Sequence, residues 1–458
     1  MDYMIKLEIK EQGIYYYCYQ NGEFIGKMDA TQMLWFFVVY KINQADYEVE
    51  IVRLYSKALS VDTQNLIEIV NKLQKKFMYL LQYVEVDFTG IDFGKIFSNY
   101  DSEFALNRMR AFTPTMLAIG LTDRCFCQCL YCYAKKNGGN RENNKGTELG
   151  FDVVKQILNY ARRVGISTVS LTGGDPMTYT KFWEVLELCK EYGIKVNFST
   201  KKILSDSDIE KFLLLREQID YIQLSIDSLY ENEEVMMLNN VRAAKVMASL
   251  RKLNDLARGK LNITVNSVIT KYNIDNILQL SKALKEMGNI KHTLSPYTFN
   301  FSTNNEEFFP TFEQYEELRR KISQMESQEL LSYSIVIGDK NPERKKIICH
   351  AGIDALIISC DGNVYACERF CADKRFSLGN VYSDSIVDIW NSDRIKEFSN
   401  PPKALFEMSN CYACDSFEYC VRERGLCYIH SYLINKGNIY APDYFCKHKE
   451  FLNDIRIY

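Results

Sequence analysis

Cys125, Cys129 and Cys132 stand as Cys-x3-Cys-x2-Cys in the stretch Leu121-Thr-Asp-Arg-Cys-Phe-Cys-Gln-Cys-Leu-Tyr-Cys132, directly after an apolar, strand-like run. Three thiolates this close, with no protein group for a fourth position, suit an iron–sulfur cubane in which one iron stays open to a ligand. Soft sulfur donors are what such clusters require. Farther along, Leu171-Thr-Gly-Gly-Asp-Pro176 ends a second apolar run. Its glycines let the backbone come close to a ligand, and Asp175 can accept hydrogen bonds from an ammonium group. Gln223-Leu-Ser-Ile-Asp227 and Thr264-Val-Asn-Ser-Val268 put Ser225, Asp227 and Asn266 within apolar runs, as small polar groups able to bind ribose or carboxylate oxygens.

A second group of cysteines lies near the C-terminus. Cys349 is followed by Gly362-Asn-Val-Tyr-Ala-Cys367, then by Cys411-x2-Cys414-x5-Cys420, Cys427 and Cys446, with Cys360 and Cys371 between. Taken alone, the Cys411-x2-Cys414 pair also suits a zinc ribbon. The chain has only four His, which weakens a mixed Cys/His zinc scheme. Cys127 could complete a zinc loop at the first triplet, but the Gly-Gly-Asp-Pro strand end argues against it, and Cys127 reads as a bystander. Cys18 and Cys189, isolated in hairpin and helix patterns, read as buried packing residues.

The elements that must position these groups follow from hydrophobic period. Strand-like runs occur at 115–121, 166–171, 194–199, 220–226, 261–269 and 291–295, with helical patterns near 151–164, 177–192, 206–216, 237–254 and 274–287. Consecutive β–α units imply a parallel sheet, because parallel strands need helical crossovers. An open doubly wound sheet or a partial barrel would fit, and in both the site lies at the C-terminal strand ends. Before this, Met4–Lys10 reads as a strand. Ile14–Gln20 and Glu23–Met28 flank Asn21-Gly22, a hairpin signal. Asp29 with Gln32 reads as a helix N-cap, and Asp62 to Gln82 as a second helix. The domain boundaries expected are 1–110 for a small α+β unit, 111–330 for the β–α series and 331–458 for a cysteine-rich region that bound metal organises.

With 458 residues, 47% hydrophobic and 25% charged, this is an ordinary soluble globular composition. A net charge of −3 offers no basic field for nucleic acid or an anionic membrane. The N-terminus does not read as a signal peptide, and the most apolar run, Met33–Tyr40, is too short to cross a bilayer. The expected location is therefore the cytoplasm, where fifteen clustered cysteines read as metal ligands.

On these residues the chain resembles radical S-adenosylmethionine (SAM) enzymes. The Cys125/Cys129/Cys132 triplet is similar to the family's cluster motif, and Gly173-Gly174-Asp175-Pro176 to its Gly-Gly-Glu-Pro motif, with Asp in place of Glu. The resemblance spans roughly 113–300 and implies a partial (βα)6 barrel. It further implies a [4Fe-4S] cluster whose open iron chelates SAM. Gly174 and Asp175 would hold the SAM ammonium end, Tyr131 would lie beside adenine, and Ser225 and Asn266 would contact carboxylate or ribose. The C-terminal cysteines resemble the SPASM extension, which implies two auxiliary [4Fe-4S] clusters. One would use Cys411, Cys414, Cys420 and Cys446; the other Cys349, Cys367 and Cys427, with Cys360 or Cys371 as a possible fourth ligand. Six residues separate Cys420 from Cys427 where the family pattern commonly has three.

The order of parts resembles maturases of ribosomally made peptides, with a winged-helix-like N-terminal unit that binds a leader peptide by strand addition, here along the 14–28 hairpin. The implied reaction is hydrogen abstraction from a precursor peptide by a 5′-deoxyadenosyl radical, followed by crosslinking, with a Cys thioether of the sactipeptide or ranthipeptide type as leading product. Carbon–carbon crosslinking and formylglycine formation in a sulfatase are the alternatives. A flavodoxin or ferredoxin would supply electrons. No acid–base residue is singled out.

Overall fold

The computed structural model describes residues 6–448 apart from 84, 102–105, 133–145, 239, 289, 298–305, 325–330, 334–348 and 444. Met4 and Ile5 of the first expected strand therefore lie outside the described residues.

Strands β1 (Lys6–Gln12), β2 (Tyr15–Gln20) and β3 (Glu23–Met28) form an antiparallel meander. Asn21 and Gly22 turn the β2–β3 hairpin with φ of 50° and 81°, the left-handed pair that matches strand twist. Helix α1 (Ala30–Gln44) begins with a complete capping box. The Asp29 carboxylate accepts from Gln32 N at 2.8 Å, and Asp29 N donates to Gln32 Oε1 at 3.0 Å. Helices α2 (Val49–Leu59) and α3 (Thr63–Leu73) follow. The helix expected over 62–82 stops being α-helical at Leu73 and goes on as two tight 3₁₀ turns, Gln74–Phe77 and Leu80–Gln82. The physical reason is a competing donor: the Lys76 carbonyl, which Leu80 would bond in a continued α-helix, accepts from Phe112 N at 2.8 Å. Leu66, Val70, Phe77 and Leu80 nonetheless stay fully buried. A short strand β4 (Glu85–Asp87) adds parallel to β1, and helix α4 (Phe93–Ser98) closes the unit.

Strands β5 (Met116–Thr122), β6 (Thr168–Gly173), β7 (Lys195–Thr200), β8 (Ile219–Ser225), β9 (Ile263–Ile269) and β10 (Lys291–Pro296) then lie side by side, all parallel. Their spatial order follows chain order without reversal. A doubly wound sheet would reverse at a switch point, so this is the barrel type of winding. Helices α5 (Phe151–Arg163), α6 (Phe182–Tyr192), α7 (Asp206–Leu214), α8 (Glu231–Leu238), α9 (Ala243–Ala257) and α10 (Ile277–Glu286) form the crossovers. Buried positions alternate along these strands and are mainly apolar, as at Ile119, Val169, Val196, Leu224 and Val265, while the positions between them are more exposed and often polar. Helix α11 (Phe312–Ser323) precedes β11 (Leu331–Tyr333), which pairs with β10, so the expected boundary at 331 falls in front of a strand of the barrel sheet.

The C-terminal region is joined to the same sheet. β12 (Ala355–Ile358) pairs parallel with β5 and continues into β13 (Asn363–Tyr365) and β14 (Gly379–Asn380), making ten strands in all. Helices α12 (Ile386–Asn391) and α13 (Asp393–Ser399) come next, and their Trp390 and Ile395 are buried in the common core. Trp390 Nε1 donates to Ala111 O at 3.2 Å, while Arg110 stacks 4.6 Å over the Trp390 ring and donates to Trp390 O and Gly352 O. Lys27 N, on the outer edge of β3, donates to Asn391 Oδ1 at 3.0 Å. That part of the hairpin edge, read above as the place for strand addition, is already paired. No helix among the described residues is long and apolar enough to cross a membrane.

Candidate functional site

The cysteine triplet leaves the C-terminal end of β5, and the neighbouring strand end fixes it. Gly174 N donates to Thr122 O and Asp175 N to Arg124 O, each at 2.7 Å. A Cβ on Gly173 would lie 2.1 Å from Thr122 O, and one on Gly174 2.0 Å from Arg124 O; Gly173 also has φ +127°. The two glycines are thus required for the β6 end to dock against the cysteine loop. The Arg124 guanidinium pairs with Glu148 and donates to Thr178 O at 2.7 Å. At the far end, Leu130 N reaches Met237 O on α8 at 2.9 Å, and Arg242 donates to both Phe126 O and Lys201 O at 3.3 Å.

Cys129 is buried; Cys125 and Cys132 are half-buried in the same apolar cluster as Tyr131, Met237 and Tyr297. Cys127, the expected bystander, is in hydrogen-bond contact with Cys129. That bond, together with the nearby Lys201 ammonium, outweighs burial and brings the Cys129 thiol down to about 6. A thiol ionised near neutral pH is the form that ligates metal.

Behind the triplet lies a buried charged network. Asp227 Oδ2 accepts from Tyr131 Oη and from Lys201 Nζ, each at 2.5 Å, and Asp227 Oδ1 accepts from Val268 N at 2.9 Å. Burial opposes the charge on Lys201, but Asp227 and Cys129 hold its pKa above the usual value. The Tyr131 hydroxyl is therefore committed to Asp227, which leaves its ring as the part that can meet a ligand. Asp175 is 2% exposed, and its carboxylate accepts from Thr200 Oγ1 (2.9 Å), Lys201 N (2.9 Å) and Met177 N (3.1 Å). Burial raises its pKa despite these donors. Its side chain thus holds the ends of β6 and β7 together, and the polar atoms this turn has left for an ammonium group are backbone carbonyls. Ser225 and Asn266 are register partners on β8 and β9, and Asn266 Oδ1 accepts from Ser295 Oγ at 2.7 Å.

Lys201, Glu234 and Arg242 were not singled out from sequence, yet they line one pocket with Cys127, Ser225 and Asp227. For Lys201 a signal existed: it directly follows Ser199-Thr200 at a strand's C-terminal end, the functional edge of such a sheet.

In the C-terminal region Cys411, Cys414, Cys420 and Cys446 line a single small cavity, with Phe406, Phe417 and Val421 as apolar wall. Burial pushes the Cys411 thiol up to about 12, and the other three thiols add to that shift, so the four sulfurs converge. Such a donor set fits a cubane cluster. His448 and Asp415 stand beside Cys414 at the rim.

Cys349, Cys367 and Cys427 also converge. Burial raises all three, and Cys349 adds to the shift of both Cys367 and Cys427, each pushed to about 12. Burial raises the Tyr365 hydroxyl, and Asp361, Cys371 and Cys360 nearby add to that. One carboxylate ties the two thiol groups together: Asp443 receives Arg424 at 2.9 and 3.1 Å, Cys427 N at 2.9 Å and Phe445 N at 3.0 Å.

Comparison with known proteins agrees with this geometry. Residues 119–284 match the model of the radical SAM superfamily, and 349–415 that of SPASM, an iron–sulfur cluster-binding domain. The mycofactocin maturase MftC of Mycolicibacterium smegmatis is 25% identical over 322 residues, covering 69% of this chain and 78% of that protein. Among solved structures, Streptococcus suis SuiB superposes with a TM-score of 0.61 at 18% identity, over 96% of this chain and 98% of SuiB; SuiB has also been solved with SAM and with the precursor peptide SuiA. The enzyme anSMEcpe reaches a TM-score of 0.51 at 16% identity, over 71% of this chain and 94% of its own. The two domains bring a SAM-binding [4Fe-4S] cluster and auxiliary iron–sulfur clusters. The chain thus carries a radical SAM domain over residues 119–284 and an iron–sulfur cluster-binding SPASM domain over residues 349–415.

Proposed function

We propose that this chain is a peptide maturase that crosslinks a ribosomally made precursor, with a Cys thioether as product. The observation that carries the reading is breadth of likeness. The maturase MftC covers most of the chain in sequence, and SuiB, solved with a precursor peptide, matches its fold through the N-terminal unit as well. The anSMEcpe match covers 71% of the chain, less than the 96% covered by SuiB. Residues 1–110 are the proposed leader-recognition domain, 111–330 the radical SAM core and 331–458 the SPASM domain.

When bound and reduced, the SAM cluster cleaves the sulfonium to give a 5′-deoxyadenosyl radical that removes a substrate hydrogen. Cys125, Cys129 and Cys132 would hold that cluster. The Gly173–Asp175 backbone would receive the SAM ammonium, Lys201 and Ser225 its carboxylate, Asn266 its ribose, and the Tyr131 ring its adenine. Cys411, Cys414, Cys420 and Cys446 would ligate one auxiliary cluster. Cys349, Cys367 and Cys427 would ligate the other through three thiolates, leaving a position for a substrate thiolate. The charge coupling among these three thiols, with Cys349 raising both Cys367 and Cys427, supports their sharing one cluster.

The test is anaerobic reconstitution with a candidate precursor and labelled SAM. The expected product is two daltons lighter and has lost one alkylatable thiol. A two-dalton loss with every thiol still alkylatable gives a carbon–carbon crosslink instead. Deleting residues 1–110 is expected to abolish turnover of the full precursor while deoxyadenosine still forms.

A further inference from the structure

The Asp227 side chain is 1% exposed, and three separate elements meet on it. Its Oδ2 accepts from the Tyr131 hydroxyl of the cysteine loop and from the Lys201 ammonium that follows β7, each at 2.5 Å. Its Oδ1 accepts from Val268 N of β9 at 2.9 Å. Asn273, fully buried just beyond β9, donates to Asp227 O at 2.7 Å and to Val268 O at 2.9 Å, which fixes the acid from behind. Both carboxylate oxygens are therefore engaged within the chain.

The make-up of this network indicates its use. A phenyl ring at 131 would fill the apolar cluster formed with Met237, Tyr297 and Phe308 and would need no acceptor, whereas a buried phenol does. The hydroxyl therefore fixes the orientation of the ring, which apolar packing alone sets loosely. Lys201 lies 5.8 Å from the centre of that ring and also reaches Ser225 O at 3.5 Å. Two of its three protons are thus bound, and the third is left for the pocket that Lys201 lines with Ser225 and Arg242. One carboxylate orients ring and ammonium relative to each other. A buried ion pair is often no more stabilising than apolar residues of the same volume, so what this one supplies is geometry.

We propose that Asp227 is a positioning residue for SAM: it sets the Tyr131 ring and the Lys201 ammonium in the arrangement that receives adenine and carboxylate, without touching the ligand itself. The proposal rests on the SAM contacts assigned above to Tyr131 and Lys201. Its physical basis is preorganisation, since side chains already held in their bound arrangement need no ordering when the ligand arrives.

The experiment follows SAM binding to the anaerobically reconstituted, reduced full-length enzyme through the change in the cluster's EPR signal. It compares wild type, Asp227→Asn, Tyr131→Phe, the double variant and Tyr131→Ala, with iron counted in each. Asp227→Asn keeps the size of the side chain, and Tyr131→Phe keeps the ring. The SAM concentration at half-change is expected to rise about tenfold in Asp227→Asn, which releases both groups, and about threefold in Tyr131→Phe, which releases the ring alone. Because the two changes break the same bond, the double variant is expected to bind no more weakly than Asp227→Asn, with iron content at the wild-type value. Wild-type affinity in either single variant overturns the proposal. So does a double variant about thirtyfold weaker than wild type, since the two groups would then act separately. Should Asp227→Asn lose its iron, Tyr131→Phe decides alone. If Tyr131→Ala also binds SAM like wild type, the ring does not meet adenine, and the assignment beneath the proposal is what fails.

Discussion

In the barrel the cysteine loop docks chiefly through backbone groups, with the Arg124–Glu148 pair and the Arg242 guanidinium beside them. The carbonyls of Thr122 and Arg124 take the amides of Gly174 and Asp175, and Met237 O takes Leu130 N. In the C-terminal region the corresponding work falls to a buried ion pair, Arg424–Asp443, whose carboxylate also receives the amides of Cys427 and Phe445. The barrel can hold its loop this way because two adjacent strands end side by side and glycine lets them touch. The C-terminal strands are short, two to four residues, and present no comparable row of backbone partners. The first arrangement fails when bulk is added at its glycines. The second fails when a single charge is removed.

Gly174→Ala tests the first statement most severely. Its Cβ would sit 2.0 Å from Arg124 O, so the loop must move, and a displacement of about 1 Å at a reacting centre costs about a hundredfold in rate. Deoxyadenosine formation is expected to fall by at least that factor while the C-terminal iron remains, as seen by Mössbauer spectroscopy of labelled protein. Asp443→Asn tests the second. It leaves Arg424 charged and unpaired, a loss of about 3–5 kcal/mol. Thermal unfolding and iron analysis should show lower stability and iron lost from both C-terminal thiol groups, with the barrel cluster kept. Retention of all iron would show that the ion pair does not organise the region.

A smaller effect distinguishes the neutral barrel interior by pH. His292 lies 2% exposed between Ser267 Oγ (2.7 Å) and Ser281 Oγ (2.8 Å), and burial lowers its pKa from 6.5 to about 4. Between these values the unfolded chain binds a proton that the folded one does not, so stability falls on acidification from pH 6.5 to pH 4, by about 3 kcal/mol at most. His292→Asn should flatten that part of the stability–pH curve, whatever its effect at pH 7. The smallest change is expected from Cys360→Ala and Cys371→Ala, with iron content unaltered. A loss of iron in either variant would make that residue the fourth ligand and remove the open position.

Much of this arrangement was legible in the residues themselves. The alternation of period located all six barrel strands to within a few positions, and Asp29 with Gln32 announced the start of α1. The C-terminal thiols could be grouped only through the resemblance to SPASM extensions, since the Cys411-x2-Cys414 spacing alone also suits zinc. What remained hidden was of one kind. Lys201 and the Arg424–Asp443 pair are charged residues whose meaning depends on a partner distant in the chain, and a pattern of nearest neighbours carries no trace of that. Asp175 shows the same limit from the other side. Its motif position was evident, while the direction of its carboxylate, toward Thr200 and Lys201 N, depends on a strand that follows it. Helix α8 escaped because Glu231–Leu238 is short and has little sidedness, with Val235 and Met236 exposed.

The pairing of β12 with β5 carries a consequence for how this molecule can be cut. β5 delivers the first cysteine, and four of its residues, Met116 to Ile119, are covered along one side by Ala355–Ile358. A chain terminated at 330 would leave that central strand with bare amides and carbonyls beside an apolar surface, a template for pairing with other copies. The catalytic half is therefore expected to aggregate when expressed alone, whether or not iron is supplied, so the C-terminal half serves the barrel as its missing wall as well as a holder of metal.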